Sequence, residues 1–359
     1  MNFKNKTYST LWVENKKIKI IDQTKLPFKF LIKELKTLSQ FCSAIKNMEV
    51  RGAPLIGVTA AFGLALSIKK DPSISNIKKS CKALLKTRPT AINLRWALNY
   101  IEKRIKKVPA RNRAEKSFEL ALKIREEDII NNIKIGLHGF KIINQIYKKR
   151  RRVINILTHC NAGWLATIDW GTALAPIFFA NRNGIPIHIW VDETRPRNQG
   201  ALLTAWELEN EKVPHTVIVD NAGGHLMQKN MVDLCIVGSD RTTIKGDVCN
   251  KIGTYLKALS AFHNKIPFFV ALPSSTIDFR TKDLNSIPIE ERKGEELSNL
   301  IFTKNGKVEK GKIYLDSSQT FNPAFDVTPS KYITGLITEN GIVKPNEKEI
   351  VKNLFNEKN

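Results

Sequence analysis

The chain is short of acid. Its 359 residues carry 34 Asp and Glu against 58 Lys and Arg, a formal net charge of +24. It also lacks paired cysteines. Cys42, Cys81, Cys160, Cys235 and Cys249 form an odd set with no CxxC pair. A disulfide scaffold is not indicated, and Cys235 and Cys249 stand too far apart, without a His pair, for a zinc knuckle. A reducing compartment fits best. The opening "MNFKNKTYST" has no apolar signal core, and the longest apolar run, Leu55 to Ile68, is too short to span a bilayer. The expectation is a soluble cytoplasmic protein with no membrane partner. No GxxxxGK[ST] loop occurs, which removes the P-loop class. His159 and His225 have no partner at helical spacing, so they are read as structural, and no metal is expected.

The excess positive charge does not form a nucleic-acid footprint. Such a surface concentrates Lys and Arg on one face beside aromatics. Here Lys is spread along the chain, and the one compact cluster, "YKKRRR" at 147–152, precedes an apolar run, where a solvated boundary would lie. We read a Lys-rich compositional bias, whose field can still steer an anionic substrate.

The length suits two domains. In "TLWVENKKIKIIDQTKLP" two β-rich runs flank Glu14-Asn15-Lys16, which predicts a hairpin. From Phe28 to about Lys149 the pattern is mostly helical. Leu31, Leu35, Leu38, Phe41 and Ile45 fall at three- and four-residue steps. From Arg151 short apolar runs alternate with helical stretches: 153–157, 187–191, 216–220, 234–238 and 267–272. They lack polar alternation, as strands buried on both faces do. The fold class expected is α/β: an N-terminal mainly helical domain with a small β start (1–149), then a doubly wound parallel-sheet domain (150–359).

Each apolar run ends in polar chemistry. The ends are Thr158-His159-Cys160-Asn161, Asp192-Glu193-Thr194-Arg195, Asp220-Asn221, Ser239-Asp240-Arg241 and Pro273-Ser274-Ser275-Thr276. Ligands of such sheets bind in the crevice at the carboxyl ends of the strands. Five clusters scattered in sequence should therefore converge. Cys160 is then a candidate reagent as well as a small buried residue. Asp240, desolvated at a strand end, suits a general acid; the other reading is a helix N-cap.

Four further stretches carry candidate ligand groups. In "VRGAPLIG" Gly52 allows close backbone approach and Pro54 suits a first helical turn, so Arg51 stands by a helix start that can hold phosphate, or is a surface Arg. Arg88 precedes Pro89 in "TRPTAINL", where Thr90 or Asn93 can cap a helix. Gln199 lies ahead of a helix in "DETRPRNQGALLTAWEL". Asn250 and Lys251 lie near another helix start, with Lys251 a point charge for phosphate.

Together "RGAPLIG", "RPTAINL", "THCNAG", "VDETRPRNQGA", "TAWEL", "DNAGGHLM", "VGSDR", "GDVCNKIGTY", "PSSTID", "IPIEER" and "NPAFDVTP" resemble the methylthioribose-1-phosphate isomerase family of methionine salvage. They lie in the family's order from Arg51 to Pro329. The wider superfamily includes isomerases of 5-deoxyribose 1-phosphate and ribose 1,5-bisphosphate, and regulatory subunits of a translation-factor exchange complex. The resemblance implies a cofactor-free homodimer with a Rossmann-like second domain that converts an aldose 1-phosphate to a ketose 1-phosphate. It implies Cys160 and Asp240 as the catalytic pair, and Arg51, Gly52, Ala53, Arg88, Gln199, Asn250 and Lys251 as contacts to the sugar phosphate. The chain departs from the family pattern at Trp164, where a small residue is expected, and at Leu202, where an Arg is expected. Bulky Trp164, four residues after Cys160, poses the question of whether it shapes the pocket.

Overall fold

The computed structural model describes residues 1–4, 6–282, 284–315 and 317–355. The hairpin expected near the start is present. Strands β1 (Leu11–Glu14) and β2 (Lys17–Ile21) pair antiparallel. Asn15 and Lys16 turn the chain with φ of 51° and 62°, both positive, as a two-residue hairpin that matches strand twist requires. A third strand, β3 (Ile32–Leu35), pairs with β2. This corrects the helical reading of that stretch. Thr37 and Gln40 form a reciprocal capping box, so helix α1 (Leu38–Lys46) starts only after it. Leu35 is buried from a strand, not from a helix face.

Four more helices follow: α2 (Ala53–Lys70), α3 (Ile74–Leu85), α4 (Ile92–Ile105) and α5 (Ala110–Arg150). Helix α2 is apolar around its circumference and buried along most of its 18 residues, as the central helix of a core must be. It is the one helix among the described residues long and apolar enough to cross a membrane, and 78% of it is buried inside the protein. Neither Thr90 nor Asn93 caps α4. Its N-cap position is Ala91, with no side-chain cap. Asn93 is turned instead toward Ser275 and Thr276.

The second half forms a seven-stranded sheet. In chain order the strands are β4 (Ile154–Thr158), β5 (Ile187–Asp192), β6 (His215–Ile218), β7 (Leu234–Val237), β8 (Phe268–Ala271), β9 (Gly335–Thr338) and β10 (Gly341–Val343). Their spatial order is β10-β9-β8-β7-β4-β5-β6. The first six are parallel, and β10 adds an antiparallel edge. Five of these strands were expected. The sixth parallel strand, β9, opens on Gly335 and closes on Thr338, which leaves only Leu336 and Ile337 as an apolar run, too little to stand out in the sequence. The chain winds outward from β4 to β6, then returns to β7 on the other side of β4. The crevice of a doubly wound sheet opens at that reversal, between β4 and β7. A second, four-stranded sheet, in the order Ile277–Asp278, Arg241–Thr243, Val248–Lys251 and Phe325–Thr328, stands beside it.

The segment 164–168 fastens the N-terminal elements to the sheet. Thr10 Oγ1 donates to the Trp164 carbonyl at 2.8 Å, and Gln23 Nε2 donates to that of Leu165 at 2.7 Å. The Thr10 amide donates to Ile168 O at 3.0 Å. Asp128, on α5, accepts from the Ile168 amide at 2.8 Å and from Asn132 Nδ2 at 3.1 Å. Burial pushes the Asp128 carboxyl up from 3.8 to about 7 against those two hydrogen bonds. An acid whose pKa rises on folding binds its proton more tightly in the native state. Its contribution is complete below the unfolded value and is lost as pH climbs through the folded one. The contribution of Asp128 to stability should therefore fall as pH rises from about 4 to 7. In Asp128→Asn that slope should lessen by up to about 1.4 kcal/mol per pH unit, measured as urea midpoints across this range.

Candidate active site

The strand ends on either side of the reversal carry the two residues singled out for chemistry. Cys160 lies two residues beyond β4, and Asp240 three beyond β7. Both open into one pocket of about 690 Å³, its open mouth included. Arg51, Gly52, Ala53, Arg88, Gln199, Asn250 and Lys251 line the same pocket. All nine residues named from the sequence thus meet in one place. They come from α2 and the segment before α4, from the loops after β4, β5 and β7, and from the second sheet.

Cys160 takes a left-handed backbone, φ 64°, which costs a side-chain-bearing residue about 1–2 kcal/mol. Its amide donates to Thr194 Oγ1 at 2.9 Å, and its carbonyl accepts from Thr204 Oγ1 at 2.7 Å. The next residue, Asn161, is held on both sides. Its side-chain and main-chain oxygens accept from the Arg51 guanidinium. Its Nδ2 donates to Glu207 Oε1 at 2.8 Å and to Thr204 Oγ1 at 3.1 Å.

Glu207 is fully buried and accepts from the Trp164 amide at 2.8 Å and the Leu165 amide at 3.2 Å. Burial raises its pKa from 4.5 to about 7, opposed by these bonds and by Arg51. Gly163 makes room for this carboxyl: a Cβ there would lie 1.9 Å from Glu207 Oε2. Trp164 points away from the pocket. It is 1% exposed and packs in the core, with its ring 5.9 Å from that of Trp206. The question posed by its bulk is answered by packing. Leu202 likewise lies outside this pocket.

Gly52 begins α2 with φ 94° and its Cα against Ala166, where a Cβ would meet the Ala166 carbonyl at 2.4 Å. Arg51 is buried. Burial lowers its pKa, while Cys160, Asp240 and Glu207 raise it. Lys251 is also buried. Its Nζ donates to Ala324 O at 2.9 Å and stands 4.7 Å from the Phe325 ring centre. Gln199 Oε1 is buried without a hydrogen-bond partner, an acceptor left open at the pocket wall. Arg88 Nε likewise makes no hydrogen bond, and forms an ion pair with Glu290 Oε2 at 3.5 Å.

Asp240 does not cap a helix, since the strand Arg241–Thr243 follows it. Burial raises its pKa, and Lys251, Arg88 and Arg51 pull it down. Burial also pushes the Cys160 thiol up, against Arg51 and Lys251. The segment after it is only a three-residue 3-10 turn, Trp164–Ala166. No α-helix therefore starts in the segment just after the thiol to acidify it. The pocket presents a neutral thiol, a carboxyl held toward its acid form, and three buried cations.

Not every strand end reaches the pocket. Asp220, after edge strand β6, accepts from the amides of Thr194 and Arg195, both at 2.7 Å. It shapes the loop that carries Thr194. Ser274 turns to Glu339 and leaves Pro273 at the wall. Conversely, Arg292 lines the pocket and was missed. It is gripped by Glu290 at 2.8 Å and Glu296 at 2.6 Å. Its stretch "IPIEER" was noted only as a motif.

Residues 49–345 match the model of the initiation factor 2 subunit family. The chain is 54% identical over 356 residues to a methylthioribose-1-phosphate isomerase of Methylobacterium nodulans, with 98% of each chain covered. Among solved structures it is similar to the 5-methylthioribose 1-phosphate isomerase of Pyrococcus horikoshii OT3, with TM-score 0.83, 39% identity, and 97% and 96% of the two chains covered. It is also similar to the translation initiation factor eIF-2B subunit delta from A. fulgidus, with TM-score 0.79, 36% identity, and 97% and 99% covered.

The Gly163–Glu207 contact gives a direct test of how the site is held. Gly163→Ala should destabilise the protein by about 1–3 kcal/mol, and loosen Asn161 and Arg51 with it. A lower urea midpoint together with weaker binding of inorganic phosphate is the expected result.

Proposed function

Because the chain belongs to the initiation factor 2 subunit family, in its methylthioribose-1-phosphate isomerase branch, we propose that it converts 5-methylthioribose 1-phosphate to 5-methylthioribulose 1-phosphate in methionine salvage. The observation that carries the reading is the meeting of Cys160 and Asp240 across the sheet reversal, inside a pocket with three buried cations. A regulatory subunit has no use for a desolvated thiol and acid in one cavity. The alternatives within the enzyme class are isomerases of 5-deoxyribose 1-phosphate or ribose 1,5-bisphosphate.

The anomeric oxygen of the substrate is esterified, so its ring does not open unaided. Asp240, kept toward its acid form by burial, gives a proton to the ring oxygen. The bond from that oxygen to C1 breaks, and C1 is left electron-poor. Two routes then lead to the ketose. In one, hydrogen moves with its electron pair from C2 to C1, and the C2 hydroxyl gives its proton to the Asp240 carboxylate, directly or through water, which restores the acid. In the other, a base takes the C2 proton and C1 is protonated afterwards. The second needs Cys160 as thiolate, which its burial disfavours. We therefore favour the direct shift, with Cys160 packed beside the charge that develops. Arg51, Arg88 and Lys251, with the backbone at Gly52 and Ala53, hold the phosphate, and Gln199 and Asn250 hold sugar hydroxyls. The reaction so drawn uses no metal or cofactor. We carry the cytoplasmic homodimer over from the resemblance as part of this proposal, with exposed Val217 and Val219, on and just beyond the open β6 edge, as apolar surface for the contact.

A substrate panel tests the assignment. Methylthioribose 1-phosphate should give the highest kcat/KM of the three sugar phosphates, and equal or better use of another would reassign the enzyme. Cys160→Ser and Asp240→Asn should each lower kcat by about 10²–10⁴-fold while phosphate binding is kept.

The hydrogen route has its own measurement. Substrate deuterated at C2 should yield product that keeps the label at C1; wash-out of the label into water would establish the proton route.

A further inference from the structure

His159, the neighbour of Cys160, is wholly buried, and both its ring nitrogens are engaged. Nδ1 meets Asp192 Oδ2 at 2.9 Å, and Nε2 donates to the Ile252 carbonyl at 2.8 Å. Asp192 ends β5, the strand before the Gln199 loop, and Ile252 directly follows Lys251. One imidazole therefore ties three strand ends that carry pocket residues. Asp192 is completely buried and takes a second partner, the ammonium of Lys257, at 3.1 Å. Lys257 is itself buried and donates to the Asp220 carbonyl at 2.7 Å. His159, Asp192 and Asp220 are close enough to suggest a metal cluster, but the Lys257 ammonium already stands against Asp192. Gly253 completes the packing: with φ 101°, a Cβ there would lie 3.2 Å from the His159 ring and 3.5 Å from Lys257 Nζ.

The pocket alone does not account for this expense. A buried ion pair is a poor source of net stability compared with apolar packing, and a left-handed, non-glycine Cys persists only where its surroundings over-determine it. We infer that His159, Asp192 and Lys257 form a strut that fixes the Cys160 thiol relative to the phosphate-binding end of the pocket at Lys251. Lys257 does not line the pocket. It is a positioning residue, acting through Asp192 and His159 on the strand end that bears the thiol. In kinetic terms the inference rests on the isomerase reading; in terms of thiol geometry it does not.

The test pairs kinetics with alkylation of Cys160 by iodoacetamide, read by peptide mass spectrometry. Part-exposed Cys42 on α1 serves as the internal reference. Lys257→Met should lower kcat by about 10- to 100-fold with KM within about threefold of wild type. It should speed alkylation of Cys160 relative to Cys42, and Lys257→Arg should recover part of both. If Lys257→Met does not fold because Asp192 is left under-paired, the double variant Asp192→Asn with Lys257→Met removes both charges, and the same two changes are expected. Unchanged kcat, or parallel acceleration at Cys160 and Cys42, would overturn the strut. Absence of isomerase activity in the wild type would instead remove the functional reading, and the Cys160-to-Cys42 ratio would still decide the strut.

Discussion

The architecture of the site depends on one constraint, the left-handed turn of Cys160 at the end of β4. A residue with a side chain does not hold φ 64° without help. The help comes from every side. Thr194 takes its amide, Thr204 holds its carbonyl, and Asn161 is pinned between Arg51 and Glu207. Several of these groups serve the pocket as well. Arg51 faces the cavity and anchors Asn161, so the residue best suited to phosphate also holds the backbone beside the thiol. The strain is local, and its compensation is spread over the start of α2, α6 (Ala205–Asn210) and the loop after β5.

Electrostatics follow from the same geometry. Thiol and carboxyl sit where burial raises both, and the cations that would lower them are drawn down by burial in turn. The pocket gathers buried positive charge beside a thiol and a carboxyl that burial holds toward their acid forms. A phosphate dianion is the natural complement. Bound there it would offset the cations and favour the acid form of Asp240 further, as the proposed ring opening requires.

Much of this was legible in the chain. Apolar runs without alternation marked the buried strands, and the polar residues just after them marked the crevice. Cys160 and Asp240 were readable because they follow the two strands that flank the reversal. Their supports were not. Glu207 sits in a stretch that reads as ordinary helix, and only Gly163, far away in sequence, shows why the carboxyl fits there. Asp220 looked equivalent to Asp192 and Asp240, but β6 is the outermost strand, and its end faces a loop instead of the cavity. Strand β3 was lost to a three- and four-residue rhythm that a capping box cuts short. Arg292 comes from an irregular segment with no periodicity to place it.

The clasp at 164–168 also bears on how such a chain is made. Thr10 and Gln23 on the N-terminal side, and Asp128 on α5, all bond to this short segment. Each is synthesised before its partner, Thr10 by more than 150 residues. The helices can form as they leave the ribosome, but a buried carboxylate and the hairpin edge stay unmatched until β4 and the turn after it have emerged. The last piece to lock the N-terminal half is thus the stretch that begins beside Cys160, so that half closes only after the strand end bearing Cys160 has been made.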